Sequence, residues 1–127
     1  MQATSARRML VALQRNRIPR HSRVASLRVD DLEIDALHPR IRQGPREIAL
    51  SPSEHILLYT LAARRGAVLS YGELANALGW TGTTSNNNAL ARHISTLRGK
   101  LEDDAKRPRY IATVPRIGFR FVAGADE

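Results

Sequence analysis

The stretch SNNNALARHISTLRGKL, residues 85–101, decides how this chain folds. Leu90, Ile94, Leu97 and Leu101 recur at steps of four, three and four, the spacing that places apolar side chains along one side of a helix. At about 100° per residue they fall in one narrow sector, and that sector must face a core. The opposite side presents Asn88, Arg92, Ser95 and Gly99, flanked by Ala91, Thr96 and Ser85. These are hydrogen-bonding or small residues. No Lys or Glu stands between Asn86 and Ser95, although a solvated helix face ordinarily carries both. Such a surface suits a helix that must enter a groove about 12 Å wide.

Working outward from this helix, Ser85 or Thr84 can cap its start, and Glu102-Asp103-Asp104 with Pro108 marks its end. Downstream, Tyr110 to Val114 and Gly118 to Val122 are β-rich runs separated by Pro115-Arg116-Ile117, which predicts a hairpin with an arginine at its tip. Upstream, Trp80-Thr81-Gly82-Thr83-Thr84 has no periodicity and reads as a loop. Before it lie two capping boxes. Ser51-Pro52-Ser53-Glu54 opens a helix with Leu57, Leu58, Leu61 and Ala62 as its buried stripe and Gly66 as its stop. Ser70-Tyr71-Gly72-Glu73 opens a shorter one, with Leu74, Ala75 and Leu78 inside and Gly79 at its end.

Further toward the N-terminus, Leu27-Arg28-Val29 and Leu32 to Ala36 alternate across an Asp30-Asp31 turn, and Pro39 to Gln43 and Glu47 to Leu50 alternate across Gly44-Pro45. A small antiparallel sheet is expected there. The resulting class is α+β: an N-terminal antiparallel sheet, three helices and a C-terminal β-hairpin, the order of a winged helix-turn-helix. We assign it to residues 26–123, with 1–25 as a basic arm or linker and 124–127 as a tail.

Charge agrees with that reading. The chain has 127 residues and a formal charge of +8, and six arginines without any acid lie in residues 1–25. Elsewhere the cations cluster between Arg92 and Arg120, the expected footprint of a polyanionic partner. Cysteine is absent, which removes disulfides and thiolate chemistry together. No stretch approaches the roughly 20 apolar residues that span a bilayer, so a cytoplasmic protein without membrane contact is expected.

On this face asparagine can pair with adenine and arginine with guanine, so Asn88 and Arg92 are the candidate base readers, with Ser95 and Thr96 reaching base edges or phosphates and Gly99 leaving room. Asn86 and Asn87, beside the free amides of the helix start, would hold a phosphate. Arg116 suits a narrow minor groove, with Arg109 and Arg120 beside it on phosphates. Arg98, Thr113 and Ile117 complete the predicted wing and phosphate contacts.

An enzyme finds no support. His21, His38, His55 and His93 are scattered without metal-binding helical spacing, Gly79 and Gly82 make no phosphate-cradling loop, and neither a nucleophilic triad nor a carboxylate pair can be placed in one pocket. No cofactor or metal is expected. Two Phe, three Tyr and one Trp in core-like positions make a poor stacking platform for single strands or RNA. Two alternatives stay open: a sequence-independent architectural binder using the arginine-rich arm, and a protein-interaction module docking an acidic partner.

Residues 27–123 resemble the effector domain of OmpR/PhoB-type transcription factors, the response regulators of bacterial two-component systems. The resemblance rests on Ile48-Ala49-Leu50-Ser51 with Glu54 and Leu57-Leu58, and on Val68-Leu69-Ser70 with Glu73-Leu74. More specific are His93-Ile94-Ser95 with Leu97 to Glu102, and Tyr110-Ile111 with Thr113-Val114 and Gly118-Phe119-Arg120-Phe121. It implies a four-stranded N-terminal sheet, the third helix in the major groove, the wing at the minor groove, and head-to-tail dimers on direct repeats of double-stranded DNA. It also implies that the loop Trp80, Thr81, Gly82, Thr83 and Thr84 touches RNA polymerase, although Trp80 serves equally well as a core anchor. Asn88 and Tyr71 depart from the family, standing where arginine is common. Val114 to Gly118 looks like the wing of membrane-tethered ToxR-type relatives, and Arg7 to Arg15 is similar to the end of a receiver domain. An excised effector domain, or a regulator working without phosphorylation, is expected.

Overall fold

A computed structural model describes residues 26–80 and 87–124. The first four strands are β1 (Leu27–Val29), β2 (Leu32–Ile34), β3 (Arg40–Gln43) and β4 (Arg46–Ala49), joined in chain order into one antiparallel sheet. Register explains its two faces. Leu27, Ile34, Ile41 and Ile48 stand in one row across the strands and turn toward the core, whereas Arg28, Glu33, Arg42 and Glu47 form the adjacent row on the outer face. That outer row alternates in sign across every strand pair, which avoids like-charge neighbours. β2 stops at Ile34 rather than Ala36 because the Asp35 carboxylate accepts the Leu37 and His38 N–H groups and turns the chain.

Three helices follow: α1 (Pro52–Ala63), α2 (Tyr71–Ala77) and α3 (Asn87–Leu101). Both predicted capping boxes form, the Ser51 hydroxyl accepting from the Glu54 N–H and the Ser70 hydroxyl from the Glu73 N–H, with each glutamate returning the bond. Gly79, at φ +80°, lets the chain leave α2 in the left-handed region where a side chain would be strained. The cap expected for α3 at Ser85 or Thr84 lies outside the described residues.

The C-terminal hairpin is β6 (Ile111–Val114) and β7 (Gly118–Phe121), but it does not stand alone. A strand that the sequence reading missed, β5 (Val68–Ser70), pairs antiparallel with β7, so the wing belongs to a three-stranded sheet in the order β5-β7-β6. Close approach makes this possible: a Cβ on Gly118 would lie 1.9 Å from the Leu69 carbonyl oxygen. Leu90, Ile94, Leu97 and Leu101 of α3 are buried against Leu57, Leu58 and Leu61 of α1 and Phe119 and Phe121 of β7 in a single core.

Candidate nucleic-acid interface

Burial of the α3 ridge fixes the roll of that helix, and the opposite face follows from it. Asn87, Asn88, Ala91, Arg92, Ser95, Thr96 and Gly99 are all exposed. A Cβ on Gly99 would meet nothing within 4 Å, so this glycine serves no internal packing and leaves the surface low. Among the described residues Arg92 has no hydrogen-bond or ion-pair partner, and its guanidinium is free for an external one. Asn86 and the loop residues Thr81, Gly82, Thr83 and Thr84 lie outside the described residues.

The two flanks of α3 are engaged differently. On one, the Lys100 ammonium contacts the Glu54 carboxylate at 2.7 Å, and the His93 ring lies 6.0 Å from that of Trp80. Trp80 packs against the core, and its backbone N–H donates to the Ala75 carbonyl, closing α2. On the other flank stands the wing. Arg98 donates to the Ile111 carbonyl from Nε at 3.2 Å and Nη2 at 2.9 Å, and Nη2 also donates to the Thr113 hydroxyl at 2.8 Å. Burial lowers the proton affinity of this guanidinium and nearby Asp103 raises it; an arginine stays charged throughout.

The wing is tied to α2 as well. The Tyr71 N–H donates to the Ile117 carbonyl, and the Tyr71 ring meets Phe119 edge-on at 5.7 Å. At the tip, the Ile117 N–H donates to the Val114 carbonyl, Arg116 takes a left-handed φ of +65°, and Ile117 is 51% exposed. Arg116 has no partner among the described residues. Arg120 stands between Val68 and Ala112 across the sheet, on the face away from Phe119 and Thr113, with no acid opposite it.

Two sequence expectations need correction. Arg109 does not flank Arg116. It precedes β6 at the open end of the hairpin, where its guanidinium pairs with Asp31 at 3.0 Å and lies over the Tyr110 ring. Arg98 is not an unengaged cation either, because its Nε and Nη2 are turned inward onto the Ile111 carbonyl and the Thr113 hydroxyl of the hairpin. The sequence reading also missed Asp103, whose carboxylate accepts the N–H groups of Arg109, Tyr110 and Ile111 and thereby sets where β6 begins. No local pattern marks that role, since the recipients lie six to eight residues on. Among the described residues no group of side chains could hold a metal ion, and no helix is long and apolar enough to cross a membrane.

Residues 45–121 match the family model described as transcriptional regulatory protein, C terminal. The chain belongs to this family. Its members are the OmpR/PhoB-type DNA-binding domains of transcriptional regulators, not enzymes. KdpE of Escherichia coli, the KDP operon transcriptional regulatory protein, is 32% identical over 119 residues, covering 91% of this chain and 51% of that protein. The DNA-binding domain of Klebsiella pneumoniae RstA, solved in complex with the RstA box, superposes with a TM-score of 0.70 at 28% identity, covering 76% of this chain and 96% of that one. DrrB of Thermotoga maritima, an OmpR/PhoB homolog, gives 0.71 at 26% identity, covering 97% and 55%. The chain spans about half the length of the curated relatives it matches. As an OmpR/PhoB-type domain it has the expected winged helix-turn-helix fold, enlarged at the wing by β5.

Proposed function

We propose that this domain binds double-stranded DNA sequence-specifically, with α3 in the major groove and the wing at the minor groove, as the effector part of a transcriptional regulator. One observation carries the reading. Around α3 and the wing, Arg98, Lys100 and Arg109 are consumed by internal partners, whereas Arg92 on the exposed helix face and Arg116 at the hairpin tip have none among the described residues. A fold stabilised only by its own contacts gains nothing from a bare arginine held in a left-handed turn, so an external anion is the natural partner. The acid-free surface of Asn88, Arg92, Ser95, Thr96 and Gly99 supports the major-groove role, and RstA bound to the RstA box supplies a precedent for the fold. Asn87 lies at the described start of α3 beside Asn88, as a phosphate contact requires. Arg120 and Ile117 would add contacts on either side of the tip. Residues 81–84 would be the candidate contact for RNA polymerase, with Trp80 as their core anchor, and copies would assemble head to tail on direct repeats.

Selection of bound sequences from a random duplex pool tests this directly. The expected result is a defined motif repeated at a fixed spacing, with Arg92→Ala weakening the selected sequence much more than random DNA. Each lost bidentate base contact would cost about 1–3 kcal/mol of discrimination. A pool that stays random after selection, with steep salt dependence, would instead favour an architectural binder.

A further inference from the structure

We infer that Arg98 is a positioning residue that sets the span between the reading helix and the wing tip, and so determines specificity without touching DNA. This rests on the DNA-binding reading above. Taking Leu90 as origin and about 100° per residue, the buried ridge occupies roughly −20° to +40° around α3 and the reading face roughly 140° to 200°. Arg98 stands between them, near 80°, on the flank occupied by the hairpin. From there its planar fork bridges two alternate residues of β6, the Ile111 carbonyl and the Thr113 hydroxyl, while its guanidinium carbon lies 5.9 Å from the centre of the Phe119 ring on β7. One side chain thus holds both strands of the wing against α3.

The geometry makes this a brace rather than a spare cation. Two N–H groups in a rigid plane, meeting two acceptors on one strand, restrict rotation as well as distance, which a single ammonium cannot do. Downstream of α3 the chain reaches β6 through residues 102–110, where Asp103 fixes the start of the strand through the Arg109, Tyr110 and Ile111 N–H groups and makes no hydrogen bond as far along as Thr113. Arg98 therefore carries the hydrogen-bonded restraint closest to the tip on the α3 side, beside the apolar packing of Phe119. A domain that reads two grooves at once needs the distance between its two reading elements held, because a misplacement of either breaks register with the other.

The absence of cysteine makes the test clean. Nitroxide labels on cysteines introduced at exposed Ala91 and Pro115 report the helix-to-wing distance in protein free of DNA, alongside the salt dependence of binding to a selected duplex and to random DNA. The parent should give one narrow distance distribution. Arg98→Met should broaden it and lower the preference for the selected duplex roughly tenfold, with the salt slope on random DNA unchanged. Arg98→Lys, which keeps the charge and folds more safely, should broaden it as well. A slope reduced by about one with the distance distribution unchanged would make Arg98 a phosphate contact and overturn the inference. So would no change in either. If no duplex is selected, the DNA-binding reading fails while the distance measurement still decides whether Arg98 braces the wing.

Discussion

The Lys100 ammonium and the Glu54 carboxylate meet at 2.7 Å, joining the last turn of α3 to the first turn of α1. Glu54 is only 5% exposed and serves two partners at once, since the same carboxylate closes the α1 capping box on the Ser51 N–H. Lys100 also approaches the Ala49 carbonyl, so the pair gathers β4, α1 and α3 at one corner.

Removing one partner should be worse than removing both. Lys100→Met keeps the aliphatic stem but leaves a carboxylate buried without its cation, and should cost about 2 kcal/mol, below the usual range for a buried pair because Lys100 is about a third exposed. Glu54→Gln in the Lys100→Met background should recover part of that loss. Urea unfolding midpoints of the four proteins measure the coupling directly. Strictly additive losses would show that the two side chains do not interact.

Acid should weaken the fold through the same residue. Burial pushes the Glu54 carboxyl up, but the Lys100 ammonium and the Ser51 donors outweigh it and hold the group below its ordinary value. Asp31 and Asp35 behave alike, burial being offset by Tyr110 and Arg109 in one case and by the Leu37 and His38 N–H groups and Arg40 in the other. Each such carboxyl binds protons less tightly folded than unfolded. Its stabilisation is complete above the unfolded value and disappears as pH falls through the folded one. Thermal midpoints should therefore change little from pH 7 to about 5 and drop steeply below roughly pH 4. Glu54→Gln should be less stable at neutral pH and shallower in its acid decline.

Gly118→Ala should be among the most damaging single changes available. The added Cβ would sit 1.9 Å from the Leu69 carbonyl oxygen and 2.9 Å from the Ser70 Cα, and both obstacles are backbone that cannot rotate aside. Relief requires β5 to leave β7, exposing Leu69 and Phe119. A loss of at least about 3 kcal/mol is expected, read from the denaturation midpoint. Gly99→Ala, where a Cβ meets nothing, is the control and should be neutral or slightly stabilising. Equal effects at the two glycines would contradict the β5-β7 pairing.

These residues also show what the sequence discloses and what it withholds. The helices were legible because their signals are local: two capping boxes and a ridge of four apolar residues, each readable within a few turns. β5 was not, since three residues running straight into a helix cap carry no strand pattern of their own, and their partner Phe119 lies fifty positions downstream. The same holds for the arginines. Arg92 and Arg98 are one residue type on one helix, six positions apart, and only the placement of the hairpin beside one flank makes the second internal and leaves the first free. Arg109 likewise became a structural residue through Asp31, a contact across most of the domain.

Arg116 gives the sharpest test of how the wing meets nucleic acid. Its guanidinium is unpartnered among the described residues, and its backbone is held at φ +65° by a turn closed through the Ile117 N–H and the Val114 carbonyl. Replacement by alanine removes one positive charge from the tip and no hydrogen bond or ion pair, so the unfolding free energy should change by less than about 0.5 kcal/mol. If the side chain enters a minor groove, binding should weaken on selected and random duplexes alike, and the slope of log affinity against log salt should shrink by about one. Arg116→Lys should restore the slope but only part of the affinity, because an ammonium is more strongly hydrated and less suited to a narrow groove than a guanidinium. Stability held constant while the slope stays at its parental value would remove Arg116 from the interface and leave α3 as the sole reading element.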